Sequence, residues 1–182
     1  MSARTKVVSM IMLVVLSGAG CSTAMRMRDA AARGEAVMYN SSGAAVGTAQ
    51  IWQDANGVVN VQVASLTLPA GTHGIHFHAV GKCDAPDFST AGGHYNPMGT
   101  QHGLQNPSGP HAGDNPNIVI PAGGVGNVSF TTDRVSLTPG TRTLLDADGT
   151  SLVVHASADD QVTNPSGNSG GRIACGVVRA LP

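Results

Sequence analysis

The chain has 182 residues, a formal net charge of -1 and only 12% charged residues. This length fits one domain plus an export segment, since one core is built from roughly 100 to 200 residues. Charge this sparse argues against nucleic acid as a ligand. Aromatic residues make up 3%, against 24 glycines and 10 prolines. That composition favours an all-β domain with many tight turns.

The N-terminus is typical of an export signal. Two basic residues precede the apolar run 7–16, whose ten residues are too few to span a bilayer as a helix. Small residues then lead into Cys21, in a pattern similar to a bacterial lipobox, where cleavage precedes a cysteine that receives lipid. Gly18 stands where a lipobox usually has a large aliphatic residue, so an ordinary secretory signal is the alternative. We expect a signal peptide over 1–20 and an exported protein.

A tether is expected between the signal peptide and the domain. Residues 21–33 show no apolar period, and β-type patterning starts at Gly34, so the domain is assigned to 34–182. A lipid anchor at Cys21 would hold the domain to the periplasmic or cell-surface side of a bacterial membrane. Ser22 gives no inner-membrane retention signal, which favours the outer membrane.

Eight short β-type runs follow, without an amphipathic helix. Glycine or asparagine bounds the first runs, and Asn56-Gly57 between the second and third is a hairpin signal. The pattern predicts an all-β, eight-stranded antiparallel Greek-key sandwich or flattened barrel. The predicted strands are 36–39, 48–53, 58–64, 74–80, 118–120, 128–131, 151–156 and 172–179.

Two irregular stretches, at 81–116 and 159–171, interrupt the series of predicted strands. The first contains five prolines and three histidines, and the second is polar and rich in glycine. Loops this long are usually functional or disordered. Because both flank strands that carry histidine, we expect two functional loops.

Histidine spacing within the strands points to a metal. His76 and His78 are one residue apart in a predicted strand, so both side chains emerge on one face and can bind one ion. Ordinary solvated histidines are the alternative. His155 ends an apolar run, where it is either a further ligand or a hydrogen-bonded core residue.

The first long loop adds a second candidate ligand set. It carries His94, His102 and His111, with Asp114 three residues after the last. Three imidazoles and one carboxylate suit tetrahedral zinc. Metal ligation would also hold a loop that has no regular structure of its own.

Cysteine number fits an oxidising compartment. Lipid on Cys21 leaves an even pair, Cys83 and Cys175, as natural disulfide partners. Their bridge would close a loop of about ninety residues and stabilise the fold by ~4 kcal/mol. Two free buried thiols are the alternative.

Five segments, in order, resemble the copper,zinc superoxide dismutases. The resemblance covers nearly all of 34–182 and includes both the histidines and the loops that join them. The segments are GTHGIHFH at 71–78, AGGHYNP at 91–97, HAGD at 111–114, LVVH at 152–155 and GGRIACG at 170–176.

The resemblance implies two metal cofactors that share one histidine as a bridging imidazolate. Copper would be held by His76, His78, His94 and His155. Zinc would be held by His94, His102, His111 and Asp114. It further implies that superoxide is disproportionated to oxygen and hydrogen peroxide by a redox-cycling copper, as antioxidant defence outside the cytoplasm.

Further roles follow from the same resemblance. Arg172 would stand beside the open copper position and attract and orient superoxide. Asp159 would link a copper histidine to a zinc histidine, and His73 would support the copper site without being a ligand. Cys83 and Cys175 match the disulfide of the family.

The sequence also departs from typical eukaryotic relatives. The stretch between Asp159 and Arg172 is shorter and lacks their charged cluster, which gives no support for long-range steering. The segment between His78 and Cys83 is also short, so a homodimer stays open and no dimer geometry carries over. The rival functions are a copper-binding or copper-delivery protein on the same fold, a former enzyme retained as a surface binding module, and a structural β-sandwich lipoprotein. The full set of ligand positions favours the enzyme.

Overall fold

The computed structural model describes residues 30–182. The predicted signal peptide, Cys21 and most of the predicted tether lie outside the described residues. The first strand begins at Ala32, ahead of the domain boundary predicted at Gly34. Nowhere in residues 30–182 does a helix have the length and apolar character needed to cross a membrane. The strands are β1 (Ala32–Asn40), β2 (Ala45–Gln53), β3 (Val59–Thr67), β4 (Gly71–His73), β5 (Ile75–His78), β6 (Ile118–Ile120), β7 (Val125–Thr132), β8 (Ser151–His155), β9 (Arg172–Val177) and β10 (Arg179–Leu181).

Eight of these strands form one curled antiparallel sheet. Its order is β5-β8-β9-β1-β2-β3-β7, with β10 also paired to β1, and β4 and β6 form a separate two-stranded sheet. The chain leaves β3, crosses to β4 and β5, and returns through β6 to β7, which pairs with β3. This is a Greek-key crossover. The predicted all-β antiparallel fold is therefore confirmed.

The strand count differs from the prediction at two places. β4 precedes the predicted strand 74–80, and Gly74 separates it from β5; a Cβ on Gly74 would lie 3.1 Å from Cε1 of His76, a close approach that suits glycine. The predicted strand 172–179 is divided at Val178. The N–H of Val178 donates to the carbonyl of Thr150 at 3.0 Å, just beyond the end of β8, and β10 then pairs with β1.

The predicted hairpin joins β2 to β3. Oδ1 of Asp54 accepts the N–H groups of Asn56 and Val58, at 2.9 Å and 3.0 Å, and Gly57 takes a positive φ of 85°.

Alternate side chains of the strands point into the apolar core. Its fully buried members include Ala36, Met38, Ile51, Val61, Val63, Ile75, Phe77, Leu152 and Val154.

Two long loops occupy residues 79–117 and 156–171. The first contains one short 3₁₀ turn, Ser89–Ala91, and is attached to β5 by isolated bridges from His76 to Asp114 and from His78 to His94. A third irregular segment, residues 133–150, which the sequence pattern did not single out, joins β7 to β8.

A disulfide ties the first long loop to the sheet. Cys83 is bonded to Cys175 of β9, with their Cα atoms 5.6 Å apart and 92 positions between them in sequence. Phe88, 1% exposed, packs in the same small cluster. The predicted pairing is confirmed, and the alternative of two free thiols is excluded.

Candidate metal centre

Strand alternation separates the histidines of β5 from the core. Ile75 and Phe77 point into the apolar core, while His76 and His78 lie on the opposite face, each at most 1% exposed. β8 pairs with β5, and its register shifts between Val154 and the last residue of the strand, His155. The strands thus bring three histidines together.

Four imidazoles form the first ligand group. One ring nitrogen from each of His76, His78, His94 and His155 lies within 4.8 Å of the others. Nδ1 of His78 is bonded to the carbonyl of Gly92 at 2.9 Å, and its Nε2 lies 3.4 Å from Nε2 of His155. Nδ1 of His76 is buried without a hydrogen-bond partner. Buried imidazole nitrogens aimed at one point fit copper.

The second group converges on one carboxylate oxygen. Oδ1 of Asp114 lies 2.9 Å from Nδ1 of His94, 2.9 Å from Nδ1 of His102 and 3.3 Å from Nδ1 of His111. The contact to His111 lacks hydrogen-bond geometry, which leaves its Nδ1 buried and unpartnered. Three imidazoles and one carboxylate match tetrahedral zinc. His94 belongs to both groups.

Asp159 connects the two groups from behind. Its Oδ2 lies 2.7 Å from Nε2 of His76, and its Oδ1 lies 3.0 Å from Nε2 of His102. The carboxylate therefore occupies the far nitrogen of each ring and leaves both Nδ1 atoms for metal. Asn117 holds Asp159 in turn, accepting its N–H at 2.8 Å.

Burial favours the neutral form of three of these rings, His78, His94 and His155. Burial, together with neighbouring histidines, lowers the pKa of His94 to about 4 and that of His155 to about 3. Burial also lowers the pKa of His78 well below its ordinary value. At pH 7 these rings can offer a lone pair without first losing a proton.

His102 behaves differently from these three rings. Burial lowers its pKa, but hydrogen bonds to Asp114 and Asp159 outweigh that effect and raise it to about 9. Burial raises the pKa of Asp114, yet its close contacts with His102, His111 and His94 hold that pKa well below the ordinary value. In the metal-free protein, His102 is therefore a cation between two carboxylates, and a metal would replace its proton.

Arg172 is fixed by two backbone carbonyls. Its Nη1 donates to the carbonyl of Phe88, and its Nη2 donates to that of Gly92 at 2.6 Å. Burial lowers the pKa of Arg172, but a guanidinium stays charged at neutral pH. The guanidinium lines an open cavity of about 410 Å³ together with His78, His94, His155, Pro165 and Ser166. Among the described residues that line this cavity, Arg172 is the only lysine or arginine.

His73 has no free nitrogen. Its Nδ1 lies 2.8 Å from the carbonyl of His155, and its Nε2 lies 2.9 Å from that of Pro69. His73 therefore braces the end of β8 without facing a ligand group.

Three functional contacts were not predicted from the sequence. The carbonyls of Phe88 and Gly92 orient Arg172, and Nη2 of Arg134 donates to the carbonyl of Asp114 at 2.6 Å. Phe88 adopts a left-handed φ of 54°, for which a bulky apolar residue gives no local signal. Gly92 lay inside the recognised AGGH segment, but Arg134 lay outside every motif.

Comparison with known proteins gives one consistent family. The family model described as copper/zinc superoxide dismutase matches residues 45–178. The Cu-Zn superoxide dismutase 1 of Aquifex aeolicus (strain VF5) is 43% identical over 143 residues, which cover 78% of this chain and 85% of that protein. The superoxide dismutase-like protein YojM of Bacillus subtilis (strain 168) is 40% identical over 143 residues, covering 78% of this chain and 73% of that protein.

Solved structures agree with the sequence relatives. The crystal structure of a SOD-like protein from Bacillus subtilis superposes with a TM-score of 0.76 at 39% identity, covering 79% of this chain and 96% of that one. The clock protein EA4 superposes with a TM-score of 0.67 at 31% identity, covering 82% of this chain and 94% of that one.

Proposed function

The chain belongs to the copper/zinc superoxide dismutase family, and we propose that it disproportionates superoxide to oxygen and hydrogen peroxide at a copper and zinc site. The observation that carries the proposal is the meeting of two ligand groups at His94, beside a cavity lined by Arg172. A structural β-sandwich would have no need for buried imidazole nitrogens left unpartnered.

The donor atoms divide naturally between the two metals. His76, His78, His94 and His155 would hold copper, and His94, His102, His111 and Asp114 would hold zinc. Copper held by these residues would supply one-electron transfer in both directions, so that one superoxide ion is oxidised to oxygen and a second is reduced to peroxide. Asp159 keeps the Nδ1 atoms of His76 and His102 available by occupying their Nε2 atoms.

Arg172 would bind the substrate anion. Two carbonyls hold its guanidinium at the cavity, so the free N–H groups can donate to superoxide without prior reorganisation. Whenever its other nitrogen is not bound to copper, His94 can hold a proton there, while its Nδ1 stays beside Asp114. Such a proton is suitably placed for the peroxide product.

A direct assay tests this function. The chain is loaded with copper and zinc, freed of unbound copper, and assayed for superoxide decay beside His155→Ala. We expect fast metal-dependent decay that His155→Ala abolishes. Tight copper binding with no activity above a free-copper control would instead support a copper-handling protein.

We also propose export, cleavage after residue 20 and lipid attachment at Cys21, for antioxidant defence outside the cytoplasm and with the outer membrane preferred. The Cys83–Cys175 disulfide supports export, since such bonds persist in oxidising compartments. Expression of the full chain in a bacterial host, with Cys21→Ala beside Ser22→Ala, tests this. Only Cys21→Ala should release the protein from the membrane fraction; equal retention of both variants would contradict the anchor.

A homodimer is proposed without an assigned interface. Sedimentation of the purified chain measures its mass directly. A mass near that of one chain at micromolar concentration, which is 18.3 kDa before removal of the signal peptide, would contradict it.

A further inference from the structure

Asn164 lies in the second long loop but bonds to the first. Its Oδ1 accepts the backbone N–H of His102, one of the candidate zinc ligands, at 2.8 Å. The side chain of His102 is thus directed to the metal groups, while its backbone is directed to the other loop. Asn164 touches no metal-ligand atom itself.

Neighbouring residues extend this junction. The N–H of Gln105 donates to the carbonyl of Gln161 at 2.9 Å, and Nδ2 of Asn106 donates to the carbonyl of Val162 at 3.1 Å. Gly103 lets the two backbones approach, because a Cβ there would lie 2.3 Å from the carbonyl oxygen of Gln161. The loops are therefore in backbone contact next to His102.

The segment that follows Asn164 forms one wall of the substrate cavity. Pro165 and Ser166 line the cavity together with Arg172. Gly167 then packs its backbone on the linking carboxylate, since a Cβ there would lie 1.8 Å from Oδ1 of Asp159. The wall is held at both ends by groups that also bond to His102.

We propose that Asn164 is a positioning residue that sets how far the cavity wall at Pro165 and Ser166 stands from Arg172. Its carboxamide links the backbone of His102 to this wall and so limits how far the wall can move from Arg172. The proposal rests on the function proposed above and adds a determinant of which anions reach the copper group.

The physical basis is the number of bonds that hold the wall. Without the bond from Asn164 to His102, the wall keeps contacts inside its own loop, such as the N–H of Gly167 to the carbonyl of Thr163 at 2.7 Å. Those contacts do not fix its distance from Arg172. A diatomic anion needs little room beside Arg172, whereas a bulky anion should reach the copper group more readily when the wall moves.

A matched control exists in the same loop. Asn168 is also an exposed asparagine, but its Nδ2 donates only to Asp160, at 2.8 Å, and to Thr163, at 3.3 Å. Its φ of 52° makes glycine the suitable substitution. Asn168→Gly therefore disturbs the loop without touching the junction to His102.

The experiment uses the chain loaded with copper and zinc. Reduction of copper(II) by ferrocyanide, a bulky anion, is followed by loss of the visible copper absorbance, and azide affinity is measured as the small-anion reference. Asn164→Ala should accelerate the reduction about 2- to 30-fold, the range of coupling through such networks. Azide affinity should change less than about two-fold, and Asn168→Gly should match the parent chain.

A second arm measures the link directly. Hydrogen exchange of the His102 amide, which donates to Asn164, should increase in Asn164→Ala and stay at the parent rate in Asn168→Gly. Asn164→Ser, which shortens the side chain, gives a second test of the same bond. Unchanged ferrocyanide rates in Asn164→Ala, or equal acceleration in Asn168→Gly, would overturn the proposal. Neither readout requires superoxide turnover, so failure of the enzymatic function is seen separately in the superoxide assay.

Discussion

Arg172 and His78 share one hydrogen-bond acceptor. Nη2 of Arg172 lies 2.6 Å, and Nδ1 of His78 2.9 Å, from the carbonyl oxygen of Gly92. A carbonyl oxygen has two lone pairs and can accept both bonds. The guanidinium of Arg172, proposed to bind the anion, is thereby fixed relative to a candidate copper ligand.

This arrangement predicts that Arg172 contributes to substrate capture and not to metal retention. Arg172→Ala should lower kcat/KM for superoxide about 10- to 100-fold, because a positioned cation raises anion encounter. Arg172→Lys should recover part of this loss, since it keeps the charge and loses the fork of donors. Stopped-flow assays at several ionic strengths should show a shallower salt dependence for Arg172→Ala. Loss of bound copper in parallel with activity would contradict this role.

Removal of the linking carboxylate should weaken both metal sites. In Asp159→Asn, an amide replaces the carboxylate that contacts Nε2 of His76 and Nε2 of His102. The affinity for copper and zinc should therefore fall about 10- to 100-fold. Competition with a chelator measures both metals. Asp160→Asn is the control, because Asp160 is an exposed neighbour whose carboxylate bonds only within its own loop. Equal effects of the two changes would argue that the loop, and not the link, is responsible.

Opening the disulfide should cost stability. Cys83 and Cys175 lie 92 positions apart, and the chain-entropy model gives about 4 kcal/mol for a loop of this size. Urea unfolding of the metal-free chain, with and without reductant, measures the difference in the free energy of unfolding. A Cys21→Ala background removes the remaining cysteine from the comparison. A difference below about 1 kcal/mol would show that the reduced chain retains the loop closure.

Two buried histidines predict how the free energy of unfolding of the metal-free protein changes at acidic pH. His94 and His155 have folded pKa values of about 4 and about 3, below the ordinary 6.5. The unfolded chain therefore takes up protons first, and the free energy of unfolding should decrease as pH falls below about 6.5. His155→Gln should flatten this decrease in urea unfolding curves, and an unchanged slope would contradict the assignment.

His102 predicts that the metal-free protein also loses stability at alkaline pH. Its folded pKa of about 9 lies above the ordinary 6.5. The stability it contributes is fully present below about 6.5 and should be lost as pH rises through about 9. His102→Gln should remove this alkaline loss of stability in urea unfolding measured over the same pH range. A metal-free protein with no stability loss between about pH 7 and about pH 10 would show that His102 is not held as a cation.

Local patterns were sufficient where a residue's role depends on strand geometry or turn chemistry. The spacing of His76 and His78 placed both on one face of a strand, and Asn56-Gly57 marked the hairpin because a left-handed residue is needed there. The position of His155 left two alternatives. Only the pairing of β8 with β5 brings its ring to His78.

The remaining features depend on contacts between distant segments. Phe88 and Arg172 meet through a backbone carbonyl, and Asn164 meets His102 through a backbone N–H. Every residue has these backbone groups, so side-chain identity does not indicate which of them will be used. The division at Val178 is similar, since it lies where pairing with β8, a segment distant in sequence, ends and β10 pairs with β1.

Gly167 is buried in a loop whose neighbouring residues are mostly exposed. Any side chain at this position would overlap the oxygen of Asp159 that holds His102. A saturation library of the loop would therefore tolerate many residues at positions such as Val162 and Thr163 and almost none at Gly167. In selection experiments that single position would behave like a residue of the catalytic centre, although it contributes no side chain to it.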